Sequence, residues 1–151
     1  MTRAHIGDPA PNVTLRLHTG EAVPLAELYR ERPLVLFFYP KDGTAICTRE
    51  ACAFRDAWQE FADAGAVVVG VSGDTVESHQ EFAESLRLGY LLASDEDGAL
   101  RRAFGVPKTL GLLPGRVTYV IDRHGIIRHV FSAPFSADRH VREALAAVAS
   151  L

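Results

Sequence analysis

Hydrophobic and polar positions along the chain predict an alternating series of strands and helices. Two continuous apolar runs, 33–39 and 66–72, have the length and composition of strands that are buried on both faces of a sheet. The segment between them, 45–64, has apolar residues at helical spacing and predicts one long helix. The residues of this apolar stripe are Cys47, Ala51, Phe54, Trp58 and Phe61, and we expect Trp58 and Phe61 to belong to the core.

The rest of the pattern completes an α/β order. It predicts strands at 13–17, 90–93, 117–122 and 126–131, and helices at 25–30, 76–88, 98–104 and 137–151. Crossover helices connect parallel strands, whereas the turn Arg123-His124-Gly125 predicts an antiparallel hairpin. We therefore predict an α/β fold with a thioredoxin-like mixed sheet, flanked by helices on both faces. We expect a single domain, 1–151.

Composition and charge narrow the classes of partner. The formal net charge is -3, with both signs spread along the chain, which gives no reason to expect a nucleic acid or an anionic membrane as partner. The longest apolar runs are too short to span a bilayer. The first residues lack the basic start and apolar stretch of a signal peptide. We therefore expect a cytoplasmic location.

The chain has two cysteines, Cys47 and Cys52, and a reducing cytosol keeps such residues as thiols. Two cysteines cannot complete a structural zinc site, and no histidine lies beside them at a zinc-like spacing. The six histidines are scattered, and we assign no role to them. Two readings of the cysteines stay open at this point, a reactive pair or two packed thiols.

Cys47 lies where a strand is predicted to meet a helix. Pro40 ends the first buried strand, and Thr44 is a good N-cap candidate for the helix that follows. Cys47 then takes the third helical position, where backbone N–H groups have no partner within the helix. These groups and the helix dipole favour a thiolate.

Cys52 follows five residues later in the same predicted helix. In an intact helix the two Cα atoms are about 8.6 Å apart and roughly 140° apart around the axis. A disulfide requires about 4.4–6.8 Å between Cα atoms. The first turn must therefore unwind before the two thiols can join. Cys47 lies on the apolar stripe and Cys52 on a more polar side, so we expect one thiol in a pocket and the other near solvent.

Several motifs of the chain resemble those of a known family. They are Phe38-Tyr39-Pro40-Lys41-Asp42, Thr44, Cys47-Thr48, Glu50-Ala51-Cys52, Phe54-Arg55-Asp56, and the outer segments Gly7-Asp8-Pro9-Ala10-Pro11, Val69-Gly70-Val71-Ser72 and Gly115-Arg116-Val117-Thr118-Tyr119-Val120-Ile121-Asp122. With these motifs the chain resembles the peroxiredoxins, and most closely the Q type, also called bacterioferritin comigratory protein.

The resemblance implies a role for six residues. Cys47 matches the peroxidatic cysteine, Cys52 the resolving cysteine, Thr44 the hydroxyl that contacts the peroxide, Pro40 the shield against water, Arg116 the arginine that stabilises the thiolate, and Glu50 the acid that holds this arginine. The implied reaction oxidises Cys47 to a sulfenic acid, which forms a disulfide with Cys52 after the helix unwinds. The implied substrates are hydrogen peroxide and organic hydroperoxides, the implied reductant is thioredoxin or a similar dithiol protein, and no metal or organic cofactor is needed. We expect a monomer, because an internal resolving cysteine requires no second subunit.

One departure and two alternatives accompany this reading. Ala45-Ile46 stands where the family usually has Pro-Gly, and we hypothesise that Ile46 alters substrate access or the ease of unwinding. A thiol–disulfide exchange protein is one alternative, although that class normally has Cys-x-x-Cys; a non-enzymatic peroxide sensor is the other. The apolar loop 110–114 leads to Arg116 and could cover the pocket, contact a partner or pack internally.

Overall fold

A computed structural model describes residues 4–109 and 113–151 and contains a seven-stranded mixed sheet with helices on both faces. The strands are β1 (Thr14–Leu17), β2 (Ala22–Pro24), β3 (Leu34–Phe38), β4 (Val67–Ser72), β5 (Leu91–Ser94), β6 (Lys108–Thr109), β7 (Leu113–Pro114), β8 (Val117–Ile121) and β9 (Ile127–Ser132). The helices are α1 (Leu25–Tyr29), α2 (Ala45–Asp56), α3 (Trp58–Asp63), α4 (Val76–Leu86), α5 (Ala99–Phe104) and α6 (Ala137–Ala149).

The strand order of the sheet is β2-β1-β5-β4-β3-β8-β9, and β6 and β7 form a separate two-stranded ribbon. β3, β4 and β5 run parallel, because α2 and α3 connect the first two strands and α4 connects the next two. The outer strands pair antiparallel. This order confirms the predicted thioredoxin-like mixed sheet.

The side chains of β3 alternate between two separate cores. Val35 and Phe37 face the core that α2, α3, α4 and α6 cover, whereas Leu34, Leu36 and Phe38 face the core that includes side chains of α1 and α5. Because successive residues of a strand point to opposite faces, this continuous apolar run supplies both cores. The prediction of helices on both faces is therefore confirmed.

The long helix predicted at 45–64 is wrong in one respect. It breaks at Ala57, whose backbone angles are φ -91° and ψ 1°, and continues as α3. The break changes the direction of the stripe, so Trp58 is 40% exposed and lies against Gly89, whereas Phe61 is fully buried. The expectation that Trp58 belongs to the core is therefore wrong. The sequence reading also missed β2, β6 and β7, which are too short to show a periodicity.

No helix within 4–109 or 113–151 has both the length and the apolar character that a membrane crossing requires.

Gly70 in β4 provides a test of how the sheet supports α2. A Cβ atom at this position would lie 2.6 Å from Cζ of Phe37, and the Phe37 ring is stacked on Phe54 of α2 with centroids 4.2 Å apart. We expect Gly70→Ala to lower the free energy of unfolding by about 1–3 kcal/mol, because the ring has no free space to move into. Urea denaturation followed by circular dichroism measures this change.

Gly73→Ala is the matched control, because a Cβ atom there would meet its nearest neighbour at 3.6 Å, an ordinary contact distance. Equal denaturation midpoints for the two variants would contradict the tight packing around Gly70.

Candidate active site

Cys47 lies in the first turn of α2, at the point where β3 ends. The helix begins at Ala45 with Thr44 as N-cap residue, in an extended conformation of φ -76° and ψ 155°. Cys47 therefore has the third helical position that the sequence predicted, and its side chain is only 1% exposed. The Thr44 hydroxyl does not cap the helix but donates to the carbonyl of Lys41 at 3.1 Å. The first N–H groups of α2 consequently have no side-chain cap.

Arg116 brings a positive charge directly to this thiol. Its Nη2 donates to Sγ of Cys47 at 3.1 Å, and its Nη1 donates to Oε1 of Glu50. The remaining nitrogen, Nε, donates to the carbonyl of Pro134 at 3.0 Å. Every nitrogen of the guanidinium therefore has a partner, which fixes its plane against the sulfur. A cation in this position favours the thiolate, the nucleophilic form of a cysteine.

The sheet register explains why Arg116 reaches Cys47 from so far along the sequence. Phe38 at the end of β3 pairs with Val117 at the beginning of β8. Arg116 precedes Val117, so it lies beside the loop that leads from β3 into α2. Gly115 permits this entry, because a Cβ atom there would lie 2.0 Å from the carbonyl oxygen of Pro107.

Glu50 holds Arg116 from one turn further along α2. The carboxyl group is fully buried, and its Oε2 has no hydrogen-bond partner. Burial raises the pKa of Glu50 to about 7, although the Arg116 cation acts in the opposite direction. Nδ1 of His140 lies 3.7 Å from Oε2.

His140 is a second buried titratable group of the site. Its Nε2 is 2.8 Å from the carbonyl of Ala133, and its Nδ1 is 2.8 Å from Oγ1 of Thr118. Burial lowers the pKa of His140 to about 4, and the Arg116 and Arg139 cations act in the same direction, against the hydrogen bond to Ala133. The ring is therefore neutral at physiological pH.

A separate polar network fixes the loop between β3 and α2. Tyr39 donates from Oη to Oδ1 of Asp42 at 2.6 Å, and the other carboxylate oxygen lies 2.8 Å from Nδ1 of His79 and accepts from Ser78 at 2.9 Å. The backbone N–H of Asp42 donates to Asp74 at 2.8 Å. Burial, with Asp42 acting in the same direction, raises the pKa of Tyr39 well above its usual value.

The side chains of Asp42, Asp74 and His79 are also the one group of metal-type donors among the described residues, with ligand atoms within 4.8 Å of one another. Both ring nitrogens of His79 and the carboxylate of Asp42 are already engaged in hydrogen bonds within the protein. We therefore interpret the group as an anchor for the loop.

Cys52 lies apart from the buried cluster. It is half-buried and, like Cys47, a free thiol. α2 is continuous from Ala45 to Asp56, so the two Cα atoms keep the helical separation of about 8.6 Å. Tyr90 donates from Oη to the carbonyl of Ala51 at 2.8 Å and so holds the middle of the helix.

Of the six predicted site residues, the structure brings Cys47, Glu50 and Arg116 into contact. Pro40 is half-buried and Thr44 is exposed, both in the loop before α2. Residues 110–112 of the apolar loop lie outside the described residues.

The sequence reading missed His140 and its partner Thr118. A signal existed, because His140 shares the buried face of α6 with apolar residues at helical spacing. These residues are Ala137, Val141, Ala144 and Val148. A histidine in such a stripe has to find internal hydrogen-bond partners.

Comparisons with known proteins identify the family of the chain. Residues 6–130 match the model of the AhpC/TSA family. The chloroplastic peroxiredoxin Q of Oryza sativa subsp. japonica is 45% identical over 146 residues, which cover 96% of this chain and 67% of the rice protein. The chloroplastic peroxiredoxin Q of Sedum lineare is 44% identical over 96% of this chain and 78% of its own length.

Solved structures extend the similarity to the whole fold. Peroxidoxin BcpB from Mycobacterium tuberculosis superimposes with a TM-score of 0.91 at 40% identity and covers 99% of each chain. Peroxiredoxin Q from Xanthomonas campestris has a TM-score of 0.83 at 30% identity, over 97% of this chain and 96% of its own. The chain thus belongs to the AhpC/TSA family and, within it, is a peroxiredoxin of the Q type.

Proposed function

We propose that this peroxiredoxin reduces hydrogen peroxide and organic hydroperoxides with Cys47 as nucleophile and Cys52 as resolving thiol, and that thioredoxin or a similar dithiol protein regenerates it. The observation that carries the proposal is the hydrogen bond of 3.1 Å from Arg116 to Sγ of Cys47 in the first turn of α2. Because both thiols belong to one chain, a monomer is sufficient for the cycle.

The first step is a displacement at oxygen. The Cys47 thiolate attacks one peroxide oxygen, the O–O bond breaks, and the other oxygen leaves with the electron pair and takes up a proton to become water or an alcohol. Negative charge moves from sulfur to oxygen in this step, and the Arg116 cation stabilises it. We assign the contact with the peroxide to the Thr44 hydroxyl and the exclusion of water to Pro40.

The second step forms the disulfide. The Cys52 thiol attacks the sulfenic sulfur of Cys47 and water leaves. Because an intact α2 keeps the thiols too far apart, the first turn must unwind. The anchor at Asp42 limits the opening on one side, and the hydrogen bond from Tyr90 to Ala51 limits it on the other. Two electrons from a dithiol protein then reduce the disulfide to two thiols.

Cysteine variants test whether Cys47 is the nucleophile and Cys52 the resolving thiol. We expect wild type to turn over peroxide with thioredoxin, thioredoxin reductase and NADPH, Cys47→Ser to be inactive, and Cys52→Ser to consume one peroxide per chain and stop. NADPH absorbance and a peroxide assay measure these outcomes.

A Cys47→Ser variant as active as wild type would overturn the proposal. Single-turnover oxidation of wild type without recycling would instead indicate a sensor. Rapid reduction of insulin would indicate a thiol–disulfide exchange protein.

Removal of the Arg116 charge tests the electrostatic part of the first step. We expect Arg116→Met to lower the second-order rate constant with hydrogen peroxide by about 10²–10³-fold, the usual loss when one preorganised donor is removed. Stopped-flow fluorescence of Trp58, the only tryptophan, or peroxide consumption follows the reaction.

The matched control is Arg128→Met, because Arg128 pairs with Asp122 at 2.7 Å and its side chain is 54% exposed. If both variants lost the same activity, the effect of Arg116 would not be specific to the thiol.

Ile46 tests the departure from the family pattern. It is half-buried at the second position of α2, and glycine there weakens the helix by about 0.5 kcal/mol relative to isoleucine. We expect Ile46→Gly to form the disulfide about two-fold faster, because the first turn opens more readily. Rapid quenching with a thiol-blocking reagent measures the rate. Unchanged disulfide formation, together with unchanged rates for small and bulky peroxides, would reject a role for Ile46.

A further inference from the structure

We propose that His140 is a positioning residue for Cys47: it fixes the backbone turn and the strand that together aim the Arg116 guanidinium at the sulfur. The inference rests on the proposed peroxidase function for its catalytic consequence. The geometry on which it depends is independent of that function.

The first contact of His140 is with the turn between β9 and α6. A carbonyl oxygen can only accept a hydrogen bond, so the bond of 2.8 Å to Ala133 requires a proton on Nε2 of His140. The carbonyl of the next residue, Pro134, accepts from Nε of Arg116 at 3.0 Å. The N–H of Ala133 also donates to the backbone carbonyl of Arg116 at 3.4 Å. The imidazole therefore holds the turn that holds Arg116.

The second contact of His140 is with β8. In the neutral ring with its proton on Nε2, Nδ1 is an acceptor, and the Thr118 hydroxyl donates to it at 2.8 Å. Thr118 follows Arg116 by two residues, so the two side chains lie on the same face of the chain where the strand begins. The Thr118–His140 bond thus links α6 to the strand at the base of the arginine.

Burial is the main reason why the His140 ring is neutral, and the nearby charges add to it. Arg116 and Arg139 face the imidazole and disfavour its protonation, and Cys47 and Glu50 share the Arg116 cation. Burial raises the pKa of Tyr90 well above its usual value, and Glu50 acts in the same direction.

The shifted pKa values of His140 and Glu50 make the stability of the fold depend on pH in opposite directions. The lowered pKa of His140 contributes stability above pH 6.5 that is lost as the pH falls through about 4. The raised pKa of Glu50 contributes stability below pH 4.5 that is lost as the pH rises through about 7.

His140→Phe tests this positioning role. Phenylalanine keeps a ring against Phe131, whose ring centroid lies 4.8 Å from that of the imidazole. It removes both hydrogen bonds of His140. We expect the rate constant with hydrogen peroxide to fall about ten-fold. We also expect the pH midpoint of Cys47 alkylation by iodoacetamide, measured in a Cys52→Ser background, to rise, because a displaced Arg116 cation stabilises the thiolate less.

His129→Phe is the matched control. His129 of β9 lies 3.1 Å from Glu143 of α6, so the change removes another histidine link between α6 and the sheet without touching Arg116. We expect its alkylation midpoint to equal that of wild type. Equal midpoints for the His140 and His129 variants, with a similar loss of thermal stability, would show that His140 is merely structural and would overturn the proposal.

Conservative variants separate the two contacts and cover the case in which His140→Phe does not fold. The amide nitrogen of His140→Gln can take the place of Nε2 and bind Ala133, whereas the shorter His140→Asn can reach only Thr118. We expect Gln to restore most of the rate and midpoint and Asn to restore less. If His140→Gln and His140→Asn both kept the wild-type pH midpoint of Cys47 alkylation, the proposal would be contradicted.

The alkylation profile also distinguishes this inference from the proposed function. If wild type consumed no peroxide but the midpoint still rose in His140→Phe, the peroxidase proposal would fail while the positioning role held. If wild type were an active peroxidase and the midpoint did not move, the positioning role alone would fail.

Discussion

The buried ion pair between Arg116 and Glu50 is the interaction on which the rest of this site depends. Placing a guanidinium and a carboxyl group inside a protein removes their hydration, and the attraction between them offsets that loss only when the geometry is good and the other hydrogen bonds are satisfied. Arg116 meets this condition, because Glu50, Cys47 and the carbonyl of Pro134 together take all three of its nitrogens. Glu50 meets it only in part, because Oε2 has no partner. All three guanidinium nitrogens of Arg116 therefore have partners next to the thiol, whereas Oε2 of Glu50, on the side of α6, has none.

This arrangement requires that several distant parts of the chain hold the pair at once. The pairing of β3 with β8 brings Arg116 to the end of β3, and α2 begins there with Cys47 and Glu50 on its buried face. The turn before α6 supplies the third partner of Arg116, the carbonyl of Pro134. A displacement of any one of these elements would leave a buried charge without its partner, which costs more than the pair itself contributes. The packing of α2 on the sheet through Phe54 and Phe37 is thus also a condition for the electrostatics of the site.

The proposed cycle also requires the site to open, and the two halves of α2 differ in how firmly contacts hold them. Its first turn has no side-chain cap and contains Cys47, which has to leave Arg116 before it can meet Cys52. Its second half is fixed by the stack of Phe54 on Phe37 and by the hydrogen bond from Tyr90 to Ala51. Local opening energies are lowest where few buried contacts hold the backbone. The Asp42 network holds the other end of the segment, so the same helix can combine a rigid reduced site with a short unwound segment.

The elements that depend on local order could be predicted from the amino-acid sequence. The apolar runs of β3 and β4, the helix start at Thr44 and the third helical position of Cys47 follow from periodicity and from residue preferences at helix starts, which act over a few residues. The break at Ala57 and the exposure of Trp58 could not be predicted, because a helix ends where packing against the sheet ends and not only where propensity falls. The motif resemblance pointed to Arg116 and Glu50, but their contact with Cys47 depends on strand register. The position of His140 between Ala133, Thr118 and Glu50 could be seen only in the folded protein, and the sequence assigned this residue no role. The reason is that burial and hydrogen-bond geometry are properties of segments far apart in the chain, which meet only when the sheet and α6 have packed together.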